Sequence, residues 1–366
     1  MSRPSRANRL ATGSLRRGAA LSSLMLALVF CLAIQAPPGV FAQAGTPEPG
    51  IPESDTGTPL DAASAWLRSQ QDSSGGFPGF SGDLDPGTTT DAVMALYAAQ
   101  SSDPEAGAAL DAAMAYLEKE GAPYASTGAG QAAKLALAAV AGGRDPRGFA
   151  GIDLVTAMKA PPTATVEHPI AGIYGDDLYD HALVLLAFAA AGEPVADAAI
   201  EPLRASQGDD GGWAFDGSTE PGAADSNTTA LVIQALVASG HGDDEMVSRA
   251  VAVLPSFLVP DPGGFAYGHA EPLVADANST ALVMQALIAA GENPASPEWG
   301  KASLALASFQ TAAGGLRYMA SDDDPNLLAT LQAIPALAGL PLPVAVGCAA
   351  GEAADTDGCI PLDLAA

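Results

Sequence analysis

Residues 225–240 read DSNTTALVIQALVASG, and residues 276–291 repeat the same pattern as DANSTALVMQALIAAG. Each copy begins with an aspartate and a short polar run, then continues with apolar residues at almost every position. Each copy also follows a Gly-Gly-aromatic segment, which reads GGWAF at 211–215 and GGFAY at 263–267. Because a whole segment recurs, we expect one helix-loop-helix unit to be used several times along the chain.

Weaker copies of this unit extend over most of the chain. An amphipathic stretch leads to GGFPGF at 75–80, and another leads to GGLRY at 314–318. Two degenerate copies lie between residues 110 and 192. The sequence therefore predicts six units and twelve helices, in which the second helices start 42–51 residues apart. Their predicted starts are Asp85, Thr127, Asp177, Asp225, Asp276 and Asp323.

The two helices of a unit differ in character. The second helices are apolar almost all round, which predicts burial on every side, whereas the first helices carry more charge and suit an outer layer. Six such pairs predict an all-α fold, an α/α toroid of six inner and six outer helices over residues 58–340. An open solenoid is the alternative, although it would need distinct polar caps at both ends.

The N-terminal segment is typical of a secretory signal peptide. Five arginines precede an apolar run at 19–34, and an Ala-Gln-Ala site ends at residue 44. We expect cleavage there, an extended linker at 45–57, and a protein that is secreted or held at the cell surface or in the periplasm. The alternative is an uncleaved anchor, although the apolar run is short for a membrane span.

Charge and cysteine content limit the partners. The formal net charge is −27, and all five arginines of residues 1–44 leave with the signal peptide, so no basic patch remains for nucleic acid or an anionic membrane surface. We expect no stable membrane span after cleavage. Cys348 and Cys359 remain, and we expect them to form a disulfide in an irregular tail at 341–366.

The repeat resembles that of a known superfamily. The segments AWLRSQQDSSGGF (65–77), PLRASQGDDGGW (202–213) and ASFQTAAGGL (307–316) are similar to the Q…G-W repeat of squalene and oxidosqualene cyclases. Their α/α-toroid superfamily also contains protein prenyltransferase β-subunits, complement-like thioester domains and cobalamin carriers. The resemblance implies the toroid fold, and it leaves the function open because unrelated functions occur on one fold.

The catalytic signatures of that superfamily are missing. Where class II cyclases carry Asp-x-Asp-Asp, the nearest segment here is SDDD at 321–324, with serine in the first place. The predicted toroid contains no cysteine for a prenyltransferase zinc site, and the thioester motif Cys-Gly-Glu-Gln is absent. The resemblance therefore favours a non-catalytic member that binds an unknown small molecule or an extracellular partner.

Two enzymatic alternatives stay open. One is a secreted polysaccharide-acting hydrolase or lyase on an α/α barrel, and the other is a degenerate terpene cyclase or prenyltransferase-like enzyme. No resident cofactor and no metal site are expected. Cobalamin remains open through the carriers, and calcium remains open through the acidic segment SDDDPN at 321–326.

We expect a ligand to meet the chain at the mouth of the ring, where the inner helices begin with partial positive charge and free N–H groups. The alternative for the acidic residues is that they are helix N-caps, which is compatible with a position around the opening. Nine residues form the predicted ligand-binding set: Asp85, Asp177, Tyr179, His181, Asp225, Asn227, Asp276, Asn278 and Asp323.

The third unit is the one place where catalysis is expected, if there is any. The segment GDDLYDHAL at 175–183 places Asp177, Asp180 and His181 at a single helix start. A carboxylate beside an imidazole suits general acid–base chemistry. The alternative is a solvated histidine at the start of a helix.

Overall fold

The computed structural model describes residues 57–159, 172–261 and 263–347. The predicted signal peptide (1–44), nearly all of the predicted linker (45–57) and the predicted Cys348–Cys359 pair lie outside the described residues. Within the described ranges, no helix combines the length and the apolar character needed to cross a membrane.

Twelve α-helices form the described part of the chain, and they alternate between an outer and an inner layer. The outer helices are α1 (Pro59–Ser69), α3 (Ala106–Ala125), α5 (Leu154–Met158), α7 (Asp197–Ser206), α9 (Glu245–Val253) and α11 (Gly300–Ser308). The inner helices are α2 (Pro86–Ala99), α4 (Ala129–Ala141), α6 (Leu178–Ala190), α8 (Ser226–Ala238), α10 (Ala277–Ala289) and α12 (Leu327–Leu337). Two short 3₁₀ helices span Phe149–Gly151 and Leu254–Phe257.

The inner helices close into a ring. Each packs against the next, and α12 packs back onto α2 and α1, so the last unit meets the first. Gln310 makes the junction directly, because its side-chain N–H donates to the carbonyl of Pro59 at 2.7 Å. The predicted α/α toroid is confirmed, and the open solenoid is excluded.

The layers follow from the distribution of apolar residues. In α8 and α10, nearly all residues from the first to the third turn are buried, as expected for helices that are apolar all round. The outer helices bury one face only, as α9 does with Met246, Val247 and Ala250. The described residues contain isolated β-bridges between loops and no β-strand.

The repeated Gln–Gly-Gly segment joins neighbouring units. The side-chain N–H₂ of Gln207 donates to the carbonyls of Gly211 (2.8 Å) and of Met246 in the next outer helix (2.9 Å). Gly211 has φ of 97°, and a Cβ there would lie 2.6 Å from the carbonyl oxygen of Arg249. Only glycine permits this approach of the loop to α9. Gln71 and Gln310 make the same pair of bonds in their own units.

A threonine fixes the preceding loop to the inner helix in four of the units. The hydroxyl of Thr229 accepts the backbone N–H of Trp213 at 3.0 Å, and that of Thr280 accepts the N–H of Phe265 at 2.9 Å. Trp213 is fully buried, and its indole N–H donates to the carbonyl of Leu203 at 2.7 Å. The loop aromatic of this unit is thus a packing anchor. Thr89 and Thr330 occupy the equivalent positions.

The described part of the tail lies against the ends of the inner helices opposite the mouth. The backbone N–H of Leu342 donates to the side-chain oxygen of Gln234 at 2.7 Å. The N–H of Gly347 donates to the carbonyl of Ala190, the last residue of α6, at 2.8 Å. The mouth formed by the helix N-termini is therefore the face on which a site must be sought.

Candidate functional site at the mouth of the ring

The predicted capping role of the aspartates is confirmed at four inner helices. In each case the carboxylate accepts the backbone N–H three residues later, which satisfies one of the free donors of the first turn. The four bonds run from the N–H of Thr88 to Asp85 (2.7 Å), from Asp180 to Asp177 (2.8 Å), from Thr228 to Asp225 (2.7 Å) and from Ser279 to Asp276 (2.8 Å).

Two predicted helix starts are wrong. Inner helix α12 is capped by Asn326, whose side-chain oxygen accepts the N–H of Ala329 at 3.0 Å, and Asp323 lies three residues earlier in an exposed turn. Proline at position 325 disfavours a helical conformation at Asp324, so the helix does not include the aspartates, and Asn326 supplies the cap. Inner helix α4 begins after Gly128 instead of Thr127 and has no side-chain cap.

The expected free N–H groups at the helix starts are occupied as well. The N–H of Ser226, the first residue of α8, donates to the carbonyl of Tyr267 at 2.8 Å. The first N–H of α10, from Ala277, donates to the carbonyl of Tyr318 at 2.9 Å. In both cases the aromatic residue belongs to the loop of the next unit. Since this carbonyl and the aspartate together take the outward-facing donors, these helix starts do not form an anion-binding site.

His181 is buried, which contradicts the expectation of a solvated side chain. Its Nδ1 accepts the backbone N–H of Tyr174 at 2.9 Å, and its Nε2 lies 2.8 Å from the carbonyl of Ala199 in α7. Burial lowers the pKa of the imidazole to about 4. Both ring nitrogens are therefore engaged inside the wall of the ring, where the neutral imidazole joins α6 to α7.

Little positive charge offsets the burial of three of the capping carboxylates. Burial raises the pKa of Asp177 to about 7, and the charge of Asp180 adds to this shift. Burial also raises the pKa of Asp225 and Asp276 to about 6 each, against the opposing effect of the capping N–H groups. The three sites therefore lack the positive charge that would hold these groups fully ionised.

An ion pair in the second turn of two inner helices was not anticipated from the sequence. Nζ of Lys134 in α4 lies 2.8 Å from Oδ2 of Asp91 in α2, and each side chain remains partly accessible. Burial raises the pKa of Asp91, and the charge of Lys134 opposes that shift. The signal was present as two charged residues within otherwise apolar inner helices.

Tyr179 and Asp180 lie on the same side of the mouth as this ion pair. Burial raises the pKa of Tyr179 to about 12, and Lys134 opposes that shift. Asp180 accepts the backbone N–H of Asp176 at 3.2 Å, and its carboxylate occupies the space where a Cβ on Gly130 of α4 would stand. The glycine therefore allows α6 to bring this carboxylate close to α4.

Three polar side chains of α10 and α12 form an amide cluster. The side-chain N–H₂ of Asn278 donates to Oε1 of Gln332 at 2.6 Å, and that of Gln285 donates to the backbone carbonyl of Gln332 at 3.0 Å. These bonds join two neighbouring inner helices. Gln332 sits in the second turn of α12, one turn earlier than Gln285 in α10. Asn227, at the corresponding position to Asn278 in α8, is partly accessible at the mouth.

The mouth is shallow. Accessible side chains on the inner helices reach the second turn, at Asp91 and Lys134, and residues from there to the last turn are buried. The centre of the ring is thus filled by packed side chains. A groove of about 550 Å³ lies on the outer face between α1 and α3, beside Arg68 and Glu105, and is separate from the mouth.

A metal site is not evident in the described ranges, which contain no group of three His, Cys, Asp or Glu side chains placed to hold an ion. In the acidic segment at 321–326, Asp322 accepts the backbone N–H of Met319 at 2.9 Å. Its carbonyl accepts from the Arg317 guanidinium at 3.3 Å. This segment is an ordered turn held by its own residues.

No protein-family model and no curated protein matches the chain. Solved structures do share its fold. The type II terpene cyclase MstE from Scytonema aligns with a TM-score of 0.56 at 18% identity, covering 76% of this chain and 96% of the cyclase. The unsaturated glucuronyl hydrolase of Bacillus sp. GL1 aligns with a TM-score of 0.54 at 14% identity, covering 76% and 94%.

A third similar structure is an inactive variant of an α-1,6-mannanase from Salegentibacter, in which two consecutive aspartates are asparagine, bound to α-1,6-mannotriose. It aligns with a TM-score of 0.56 at 12% identity, covering 76% of this chain and 98% of the mannanase. At such identities the likeness shows the α/α toroid fold and nothing about activity.

Proposed function

We propose that this chain is an extracellular toroid that binds a small polar ligand at the mouth of its ring without transforming it. The depth of the mouth carries the proposal, because side chains below the second turn of the inner helices are buried. A cyclase has to enclose an apolar substrate in a deep cavity, whereas a filled ring offers a surface for contact.

The state of the polar groups supports the same function. Asp225 uses both carboxylate oxygens, one for Thr228 and one for the backbone N–H of Phe215 at 3.0 Å. His181 is enclosed in the wall, and Lys134 is paired with Asp91. Groups committed to structural bonds are poor acids, bases or nucleophiles, while accessible phenols and amides remain for binding.

A polysaccharide-acting hydrolase is the second candidate, and one observation favours it. The pKa of Asp177, raised to about 7 by burial and by Asp180, suits a general acid that is half protonated near neutral pH. Asp176 precedes it, and the inactive mannanase variant carries replacements at two consecutive aspartates. In this reading Asp177 would protonate the leaving group of a glycosidic bond.

Native mass spectrometry of the full chain, purified from the culture medium of its source, tests the first function. We expect a small-molecule adduct that is lost in the double variant Asp91→Asn/Lys134→Met and kept in Asp209→Asn, which changes an exposed acid in the loop beside outer helix α9. A wild-type chain that carries no adduct from its own medium would contradict binding.

Incubation with α-1,6-mannotriose, followed by chromatography of the products, separates the two candidates. A binding protein should return the trisaccharide intact. Cleavage by the wild-type chain that is abolished in Asp177→Asn would establish the hydrolase instead. The asparagine keeps a side-chain oxygen for the helix cap, so loss of the fold would not explain a loss of activity.

A further inference from the structure

Three of the Gly-Gly-aromatic loops carry two aromatic residues, and only the first of the two is buried. The first is a fully buried anchor in each loop, at Phe77, Trp213 and Phe265. The second is exposed in each loop, at Phe80, Phe215 and Tyr267. Phe80 is completely exposed, and Phe215 and Tyr267 are 41% and 40% exposed. Because the anchor already joins the loop to the core, packing within the chain does not account for the second ring.

Exposed apolar side chains concentrate on the face that carries the mouth. Four segments surround the opening and each ends at the cap of an inner helix; we call segments 77–85, 213–225, 265–276 and 316–326 the rim. Among the described residues seven large apolar side chains are exposed, and five of them lie on the rim: Phe80, Leu84, Phe215, Tyr267 and Val274. Apolar side chains gathered around one opening, instead of scattered singly, mark an interaction surface.

Backbone hydrogen bonds hold the rim in place. The carbonyl of Tyr267 accepts the N–H of Ser226 at the start of α8 at 2.8 Å. Phe80 lies in a tight turn, in which the N–H of Gly79 donates to the carbonyl of Asp83 at 2.7 Å. A partner therefore meets side chains whose backbone is fixed before binding, which lowers the entropic cost of association.

The rim is strongly acidic. Its four segments contain ten carboxylates, against a single arginine and no lysine. That residue, Arg317, donates to backbone carbonyls of its own turn, including the carbonyl of Asp322 at 3.3 Å. Within the described ranges, none of the ten carboxylates forms an ion pair with a lysine or arginine. Six of them are exposed: Asp83, Asp216, Glu220, Glu271, Asp323 and Asp324.

We propose that the rim binds a basic segment of a partner protein, in which lysine or arginine side chains are interspersed with apolar ones. The apolar side chains of the segment cover the exposed rings of the rim, and its cations lie against the carboxylates between them. The inference goes beyond the proposed function, because it places a macromolecule around the opening and leaves the ion pair of Asp91 and Lys134 outside the contact.

Charge decides between this partner and the other occupants of an apolar surface. A second copy bound rim to rim would bring ten carboxylates against ten, and like charges across an interface oppose association. Nucleic acid and an anionic membrane are repelled in the same way. A cationic partner is attracted, and its apolar side chains supply the contact that charge alone does not.

Fluorescence anisotropy of a labelled peptide, titrated with the full chain, tests the proposal. The probe is a synthetic peptide of lysine and leucine at helical spacing. We expect it to bind saturably, and we expect added salt to weaken the complex. A peptide with glutamate in place of lysine should not bind. A peptide with serine in place of leucine should bind at least about tenfold more weakly, because it offers charge without apolar contact.

Apolar variants locate the contact. Phe80→Ser/Val274→Ser changes one completely exposed side chain and one that is 54% exposed, so the fold is retained. We expect this variant to bind the lysine–leucine peptide about tenfold more weakly. Leu304→Ser is the matched control, because Leu304 is 73% exposed on outer helix α11, away from the rim, and it should bind as the wild type does.

Charge variants test the second part of the contact. Glu220→Gln/Glu271→Gln removes two exposed acids of the rim, and we expect weaker binding with a smaller dependence on salt. Glu118→Gln/Glu120→Gln removes the same charge from exposed positions of outer helix α3, and it should leave the affinity close to that of the wild type.

Three outcomes would overturn the proposal. If the lysine–serine peptide binds as well as the lysine–leucine peptide, or if rim and control variants weaken binding alike, the complex reflects only the overall charge. If dextran, a neutral polysaccharide that also covers aromatic rings, binds while the lysine–leucine peptide does not, the rim recognises a glycan. None of these outcomes decides the proposed function, which depends on the native adduct and its loss in Asp91→Asn/Lys134→Met.

Discussion

Nδ1 of His181 accepts the backbone N–H of Tyr174 at 2.9 Å, and this bond identifies the residue as a substitute for the repeat threonine. His181 lies four residues after the cap Asp177, as Thr229 lies four residues after Asp225. In four of the other units, that threonine hydroxyl accepts an N–H from the preceding loop. Since Nδ1 accepts, the proton is on Nε2 and points to the carbonyl of Ala199.

Replacing this histidine should affect stability in proportion to the bonds that are lost. His181→Ala leaves the N–H of Tyr174 unpaired and opens a cavity, so we expect it to lower the free energy of unfolding by about 3 kcal/mol. His181→Thr restores the repeat acceptor and should cost about 1–2 kcal/mol. Urea denaturation measures both, and equal losses in the two variants would contradict the threonine-like role.

The buried cap of α8 should make stability depend on pH. The pKa of Asp225 in the folded chain is about 6, above its ordinary value of 3.8, so the ionised group disfavours the folded state. Its favourable contribution is therefore complete below pH 3.8 and is lost as the pH rises through about 6.

Asp225→Asn should remove this dependence while it keeps the cap. As the pH rises from 4 to 8, we expect the free energy of unfolding of the variant to increase by up to about 3 kcal/mol relative to that of the wild type. Denaturation at the two pH values gives the comparison, with Asp323→Asn as the exposed control. A difference between variant and wild type that does not change with pH would show that the carboxylate is fully compensated.

The fold was predictable because the same helix-loop-helix pattern recurs along the sequence. The spacing of the Gly-Gly-aromatic loops and the all-round apolar character of the inner helices both express the packing of one unit against the next. Helix starts were less predictable. Counting from aspartates gave Asp323 for α12, whereas the threonine four residues after each cap gives Asn326 from Thr330, as it gives Asp85 from Thr89.

The composition of the mouth could be predicted only in part. The capping aspartates are local signals, since a carboxylate and the N–H three residues later belong to one turn. The ion pair of Asp91 and Lys134 depends on how α2 and α4 are rotated against each other, which no local pattern encodes. The same holds for the carbonyl of Tyr267 at the start of α8, because it comes from the next unit.

The first glycine of the loop should be intolerant of a side chain for a steric reason. Gly211 and Gly222 both have positive φ, at 97° and 78°, but only at Gly211 would a Cβ meet backbone, 2.6 Å from the carbonyl oxygen of Arg249. Gly222→Ala should cost about 1 kcal/mol through its backbone conformation alone.

Gly211→Ala should cost at least about 2 kcal/mol more, since the loop must move away from α9 and weaken the bonds of Gln207. Thermal unfolding of the two variants supplies the comparison. If both lose the same stability, the close contact of loop and helix does not determine the need for glycine.

The contributions of Asp91 and Lys134 to the free energy of unfolding should depend on each other. Lys134→Met leaves the Asp91 carboxylate partly buried without its partner, so we expect a loss of about 1–3 kcal/mol at pH 8. Adding Asp91→Asn should recover most of that loss, because the double variant holds no unpaired charge. A double-mutant cycle by urea denaturation measures the coupling.

Burial raises the pKa of Asp91, so Lys134→Met alone should recover stability as the pH falls and the acid is protonated. Additive losses at every pH would show that the two residues act independently and that the pair does not organise the mouth.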